Sequence, residues 1–150
     1  VSVKWLKGVF GDERTEFERI TREFVGNDLF EVYNQMRYLE GLYFKSFPER
    51  LRDKIWKQLG NTGSFGASSF DQVFKNLRMD GVRRDVSRIV TQYIGEGRVN
   101  DFSGRVECPI IIYTPENEGV KYHLVAGNTR LTIASVLGIE PKVIILNTDW

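Results

Sequence analysis

Between positions 13 and 25 the apolar residues Phe17, Ile20 and Phe24 recur every three or four positions, with Glu and Arg between them. That spacing predicts an amphipathic helix. Gly26-Asn27-Asp28 interrupts it, and Asp28 suits the N-cap of a second helix, because its carboxylate can accept from an unpaired first-turn amide. The second helix carries Leu29, Val32, Tyr33, Met36, Leu39 and Tyr43, a face too wide to be left to solvent. Pro48 stands where a third helix can begin, with Leu51, Ile55 and Leu59 as its buried stripe and Trp56 beside it.

The helical period lapses at Gly60-Asn-Thr-Gly-Ser-Phe-Gly-Ala-Ser68, whose glycines and hydroxyl side chains predict a linker. It lacks the lysine and spacing of a P-loop. Ser69-Phe-Asp-Gln72 fits a capping box for a short helix with Phe70, Val73, Phe74 and Leu77. Asp80-Gly81 breaks it, and a helix resumes over 83–94 with Val86, Ile89, Val90, Tyr93 and Ile94. Apolar runs at 108–113 and 121–126, joined through Pro115 and Gly119, predict a hairpin-like pair of strands. A glycine turn, a short helix and a further strand ending near Leu146 follow. The pattern is α+β, with a helical region over 1–60 and a second unit over 69–150 that contains the small sheet.

Composition narrows the function classes. The chain has 150 residues, 41% hydrophobic and 27% charged, enough for an ordinary core. Its 21 basic and 20 acidic residues give a net charge of +1, which argues against a strongly electropositive nucleic-acid surface. Cys108 is the sole cysteine, so no intrachain disulfide or cysteine metal cluster forms, and an unpaired thiol fits a reducing compartment. No apolar run reaches membrane-spanning length and no signal-peptide pattern opens the chain. A cytoplasmic protein is expected, and Val1 in place of a methionine suggests a trimmed or fused chain.

The chemistry concentrates at His123-Leu-Val-Ala-Gly-Asn-Thr-Arg130, where a strand runs into a glycine and then a helix. The first amides of a helix have no intrahelical partner, and together with the helix dipole and an arginine they can converge on one anion. Gly127, Asn128, Thr129 and Arg130 are therefore the candidate phosphate-binding residues, with Thr129 also suited to N-capping. His123, the sole histidine, is a candidate accessory acid or base, although a hydrogen-bonded strand histidine is the preferred reading. A histidine metal site is excluded for want of further ligands. Asp80, Asp85, Asp101, Glu107, Glu140 and Asp149 are the available carboxylates, and their spacing selects none as catalytic.

Leu-Val-Ala-Gly-Asn-Thr-Arg-Leu-Thr-Ile-Ala followed by Leu-Gly-Ile and an apolar strand resembles the signature of the ParB/sulfiredoxin-like superfamily. Cys-Pro-Ile-Ile-Ile-Tyr at 108–113 matches the strand that precedes the motif in ParB proteins. The resemblance covers about the last third of the chain. It implies a ParB/sulfiredoxin-like fold with an added N-terminal helical region. It also implies a nucleoside triphosphate, ATP or CTP, bound with Mg²⁺, and hydrolysis or transfer of the γ-phosphate to a hydroxyl acceptor such as a nucleotide or modified DNA. Asn128 stands where sulfiredoxins place their catalytic cysteine, so thiol repair is not expected. Partition ParB proteins have a charged residue there and continue into a helix-turn-helix, whereas the kinase branch, with Gly-His-Thr-Arg, is nearer in motif.

Two other classes stay open. One is a DNA-binding or nuclease protein of the ParB-like class, using Arg83, Arg84 and Arg88 as a basic face. The other is a non-enzymatic module whose N-terminal helices bind an unspecified protein, with Trp5, Phe10 and Trp56 exposed to do so.

Overall fold

A computed structural model describes residues 4–56, 58–60, 105–127, 130, 131, 134 and 140–150. β5 (Ile110–Tyr113) is the centre of the molecule. It belongs to a five-stranded mixed sheet, flanked by β7 (Lys142–Asn147) in parallel and β6 (Tyr122–Ala126) in antiparallel orientation. β2 (Glu49–Arg50) adds to the outer side of β7, and β3 (Leu59–Gly60) to the outer side of β6. A separate parallel pair joins β1 (Lys4–Leu6) to β4 (Arg105–Glu107). The architecture is α+β.

Ile110, Ile111 and Ile112 are all buried because the sheet is covered on both faces. Alternate side chains go to opposite cores. Ile110, Ile112, Ile144 and Leu146 join Phe17, Ile20, Leu39 and Tyr43 on the helical side. Ile111, Val143 and Ile145 join Leu51, Leu59, Leu124 and Leu131 on the other. An apolar run without alternation is the signature of such a strand.

A 3-10 turn (Phe10–Glu13) leads into α1 (Arg14–Val25), and α2 (Leu29–Lys45) packs beside it. Both helices match the periodicity. Asp28 caps α2, its Oδ1 accepting from the Glu31 amide at 3.0 Å. Lys7 closes the far end by donating to the carbonyls of Tyr43, Phe44 and Ser46. The apolar face of α2 is narrower than its sequence implies. Val32, Met36, Leu39 and Tyr43 are buried, while Leu29 and Tyr33 are 62% and 58% exposed.

The third helix is a correction. α3 spans only Asp53–Trp56. Residues 49 and 50 pair with β7, the Leu51 amide donates to the Pro141 carbonyl at 3.1 Å, and Leu59 lies in β3. Leu51 and Leu59 are buried as their stripe implies, but sheet pairing fixes the backbone around them. The first sixty residues thus contribute three strands as well as helices, and Gly60 of the expected linker is in β3.

The observed strands also run shorter than the apolar segments. Cys108 and Pro109 precede β5, and the Cys108 amide donates to the Leu6 carbonyl at 2.7 Å. The rest of the linker, the capping box at Ser69, the helices over 70–77 and 83–94, and Arg83, Arg84 and Arg88 lie outside the described residues. No described helix is long and apolar enough to cross a membrane.

Candidate functional site

β6 leaves the sheet through a bulge and a glycine. The register against β5 shifts between Ile110 and Ile111, so Val125 is the extra residue on β6 just before the strand ends. Gly127 follows with φ +107°, a conformation that a side chain disfavours. A Cβ there would also lie 2.8 Å from the Cα of Pro109. Its carbonyl accepts from the Leu131 amide at 2.9 Å, the bond that begins a helix, and Arg130, Leu131 and Ala134 are helical. Leu131 and Ala134 are buried and anchor this helix to the two cores.

Arg130 is thereby set between two carboxylates. Its Nη1 donates to the Glu107 carbonyl at 2.9 Å and lies 3.9 Å from Glu107 Oε2. Its Nη2 lies 3.5 Å from Glu13 Oε1. Glu13 closes the 3-10 turn before α1, and Glu107 ends β4, so the cluster gathers three remote parts of the chain. The Arg130 side chain retains 20% exposure. Burial pushes the Glu13 carboxyl above its ordinary value; Arg130 opposes that, and the negative charge of Glu107 adds to it.

Buried groups adjoin the inner side of the cluster. Tyr43 donates its hydroxyl to the Gly8 carbonyl at 2.7 Å, and burial raises its pKa to about 12. The Cys108 thiol is 2% exposed and burial raises it to about 11, so it stays protonated and unreactive at neutral pH.

Of the expected site residues, the structure brings Gly127 and Arg130 to one turn, while Asn128 and Thr129 lie outside the described residues. His123 is four positions earlier, in β6, with partners of its own. Its Nε2 shares a 3.1 Å hydrogen bond with the Thr114 hydroxyl, and its ring stands edge-on to Phe24 at 5.0 Å. Burial lowers its pKa, so it is a neutral, hydrogen-bonded strand histidine at pH 7.

Among the candidate carboxylates that lie within the described residues, only Glu107 is beside Arg130. Glu140 pairs with Arg50, Asp149 engages Tyr38, whose hydroxyl accepts from the Asp149 amide at 3.1 Å, and Asp80, Asp85 and Asp101 lie outside the described residues. Glu13 went unrecognised, because a partner 117 positions away leaves no local signal. Among the described residues no group of three or more His, Cys, Asp or Glu side chains is placed to hold a metal ion.

A second concavity lies elsewhere. An open groove of about 630 Å³ is lined by Glu49, Arg52, Asp53, Tyr122 and Asn147, among others, residues that no spacing in the chain brings together. Neither Gly127 nor Arg130 lines it. Comparison with protein-family models, curated proteins and solved structures finds none that matches this chain.

Proposed function

We propose that the chain binds a nucleoside triphosphate, ATP or CTP, at the turn that ends β6. The observation that carries this reading is that Gly127, at positive φ, leads from β6 into a helix whose Arg130 keeps its guanidinium partly exposed. A phosphate oxygen there would meet a charged donor and the positive end of a helix. Glu13 meets Arg130 through a long contact of 3.5 Å, at the weak end of hydrogen-bond geometry.

Mg²⁺ characteristically binds through one or two carboxylates together with phosphate oxygens. Glu13 and Glu107 are the carboxylates beside Arg130, and their donor chemistry suits that partial role. Bound there, the ion would neutralise charge on the phosphates. Hydrolysis or γ-phosphate transfer to a hydroxyl acceptor is the reaction that the superfamily resemblance adds.

Calorimetry with ATP and CTP in the presence of Mg²⁺ tests the reading. Arg130→Ala should weaken binding roughly ten- to a hundred-fold, as expected for loss of a charge-assisted contact. A parallel titration with labelled duplex DNA separates the DNA-binding class, because backbone recognition falls steeply with salt through counterion release. Nucleotide binding should persist at physiological salt while duplex binding vanishes. A folded protein that binds no nucleotide at millimolar concentration, or one that holds duplex through salt regardless of Arg130, would overturn the proposal.

The same contacts support a second reading. Arg130 ties the start of α1 and the end of β4 to the helix after β6, which is a structural use of the side chain. In that case Arg130→Ala lowers the melting temperature and wild-type protein binds no nucleotide.

A further inference from the structure

The outward faces of the two long helices differ in kind. On α1 several charged side chains pair with one another, with Arg19 bridging Glu16 and Glu23, and Arg22 bridging Glu18. On and just beyond α2, Phe30, Tyr33, Phe44 and Phe47 are 76%, 58%, 69% and 77% exposed. Arg37 and Glu40 lie between them, and neither makes an ion pair among the described residues. Within α2, positions 30, 33, 37, 40 and 44 follow alternating steps of three and four, the a/d spacing of a coiled-coil seam, and Phe47 lies three positions further on, past the helix end.

The order of residues along this seam is self-complementary. About a two-fold axis midway between residues 38 and 39, Tyr33 faces Phe44 of a second copy and Arg37 faces Glu40, while Phe30 comes to the end of the partner helix, where Phe47 follows. Each layer then joins an a position to a d position, as antiparallel helices do. A parallel pair would set Arg37 against Arg37 and Glu40 against Glu40, which repel. Gly41 lies exposed on the same face with nothing within 4 Å of where a Cβ would stand, leaving space for an incoming ring.

The end of the seam is fixed in advance. Lys7 holds the last carbonyls of α2 and stands 5.8 Å from the Phe47 ring centroid, just past the C-cap Ser46. The four aromatic side chains offer on the order of 500 Å² per copy. With Leu29, Arg37 and Glu40 at their margins, that approaches the roughly 800 Å² per partner of a standard interface.

We propose that a second copy of this chain covers the face, forming an antiparallel, two-fold α2–α2 dimer whose centre is a reciprocal pair of Arg37–Glu40 bridges. Sedimentation velocity on the full chain tests it, with far-UV circular dichroism to confirm folding. Wild type should be dimeric at about 100 μM, a concentration at which a micromolar dimer is largely assembled. Arg37→Glu alone gives each copy two acidic positions at the seam centre, and Glu40→Arg alone gives each copy two basic ones. Either should weaken self-association at least about a hundredfold through like-charge contact.

Mixing the two variants in equal amounts should restore a dimer containing one copy of each, because every central contact is again between opposite charges. A monomeric wild type overturns the proposal. So does an Arg37→Glu variant that still dimerises, or a mixture of two folded variants that stays monomeric.

Discussion

Gly127 is restrained twice over, by a φ of +107° and by the Pro109 ring and backbone pressed against it. Either restraint alone disfavours a side chain; together they leave no relaxed position for one, since Pro109 is buried and its carbonyl accepts from the Ile144 amide at 2.9 Å. Gly127→Ala should therefore destabilise the fold by about 1–3 kcal/mol, read from urea unfolding. An unchanged midpoint would mean that the turn relaxes without disturbing β5. The need for glycine was legible where the strand ends. Its pressure on Pro109 was not, because that contact joins residues on different strands.

At the scale of elements, α2 shows how local and remote signals divide. Its start is local. Asp28 accepts from the Glu31 amide three residues on, and a carboxylate there satisfies an otherwise unpaired donor. Asp28→Ala should cost about 1 kcal/mol, measurable as a lowered unfolding midpoint with the slope unchanged. No change would show that the first turn of α2 is held by its packing alone. The other end depends on Lys7, 36 to 39 positions away, which pattern reading cannot assign. The exposed side of α2 is likewise decided by its neighbours: α1 and the sheet cover Val32, Met36, Leu39 and Tyr43 and stop short of Phe30, Tyr33 and Phe44. Trp5 and Phe10, expected exposed in a protein-binding module, are buried instead.

Across the whole molecule, the helices and the sheet meet around His123, which links β6 to Phe24 of α1 and to Thr114 at the end of the β5 hairpin arm. Burial holds its folded pKa below the unfolded value of about 6.5, so the unfolded chain binds the proton first. Its contribution to stability is complete above that value and is lost as pH falls from there through the lower folded value. Glu13, whose folded pKa is raised, has the opposite sign: it favours the folded state as pH falls from its folded value towards the ordinary carboxylate range. Urea midpoints of wild type and His123→Gln, compared between about pH 7.5 and 5.5, isolate the histidine. Wild type should lose stability relative to the variant as pH drops, and parallel profiles would show that His123 titrates alike in both states.

The amino-acid sequence by itself determined α1 and α2, the Asp28 cap, the paired strands around 108–126, the helix that carries Arg130 and the α+β class. Each rests on periodicity or on a contact within a few residues, where neighbouring positions carry the information. Tertiary structure decided the rest. Residues 49–50 and 59–60 flank a helical stripe that reaches Leu59, yet they serve as strands, because β6 and β7 offer unpaired sheet edges and a ladder bond outweighs a weak helical preference. Glu13 and Glu107 reach Arg130 only after three remote segments pack, and no spacing in a linear chain encodes that meeting. The aromatic seam of α2 is written in the sequence as well, but which of its faces the core takes, and which it leaves open, is fixed only when the sheet and α1 are in place.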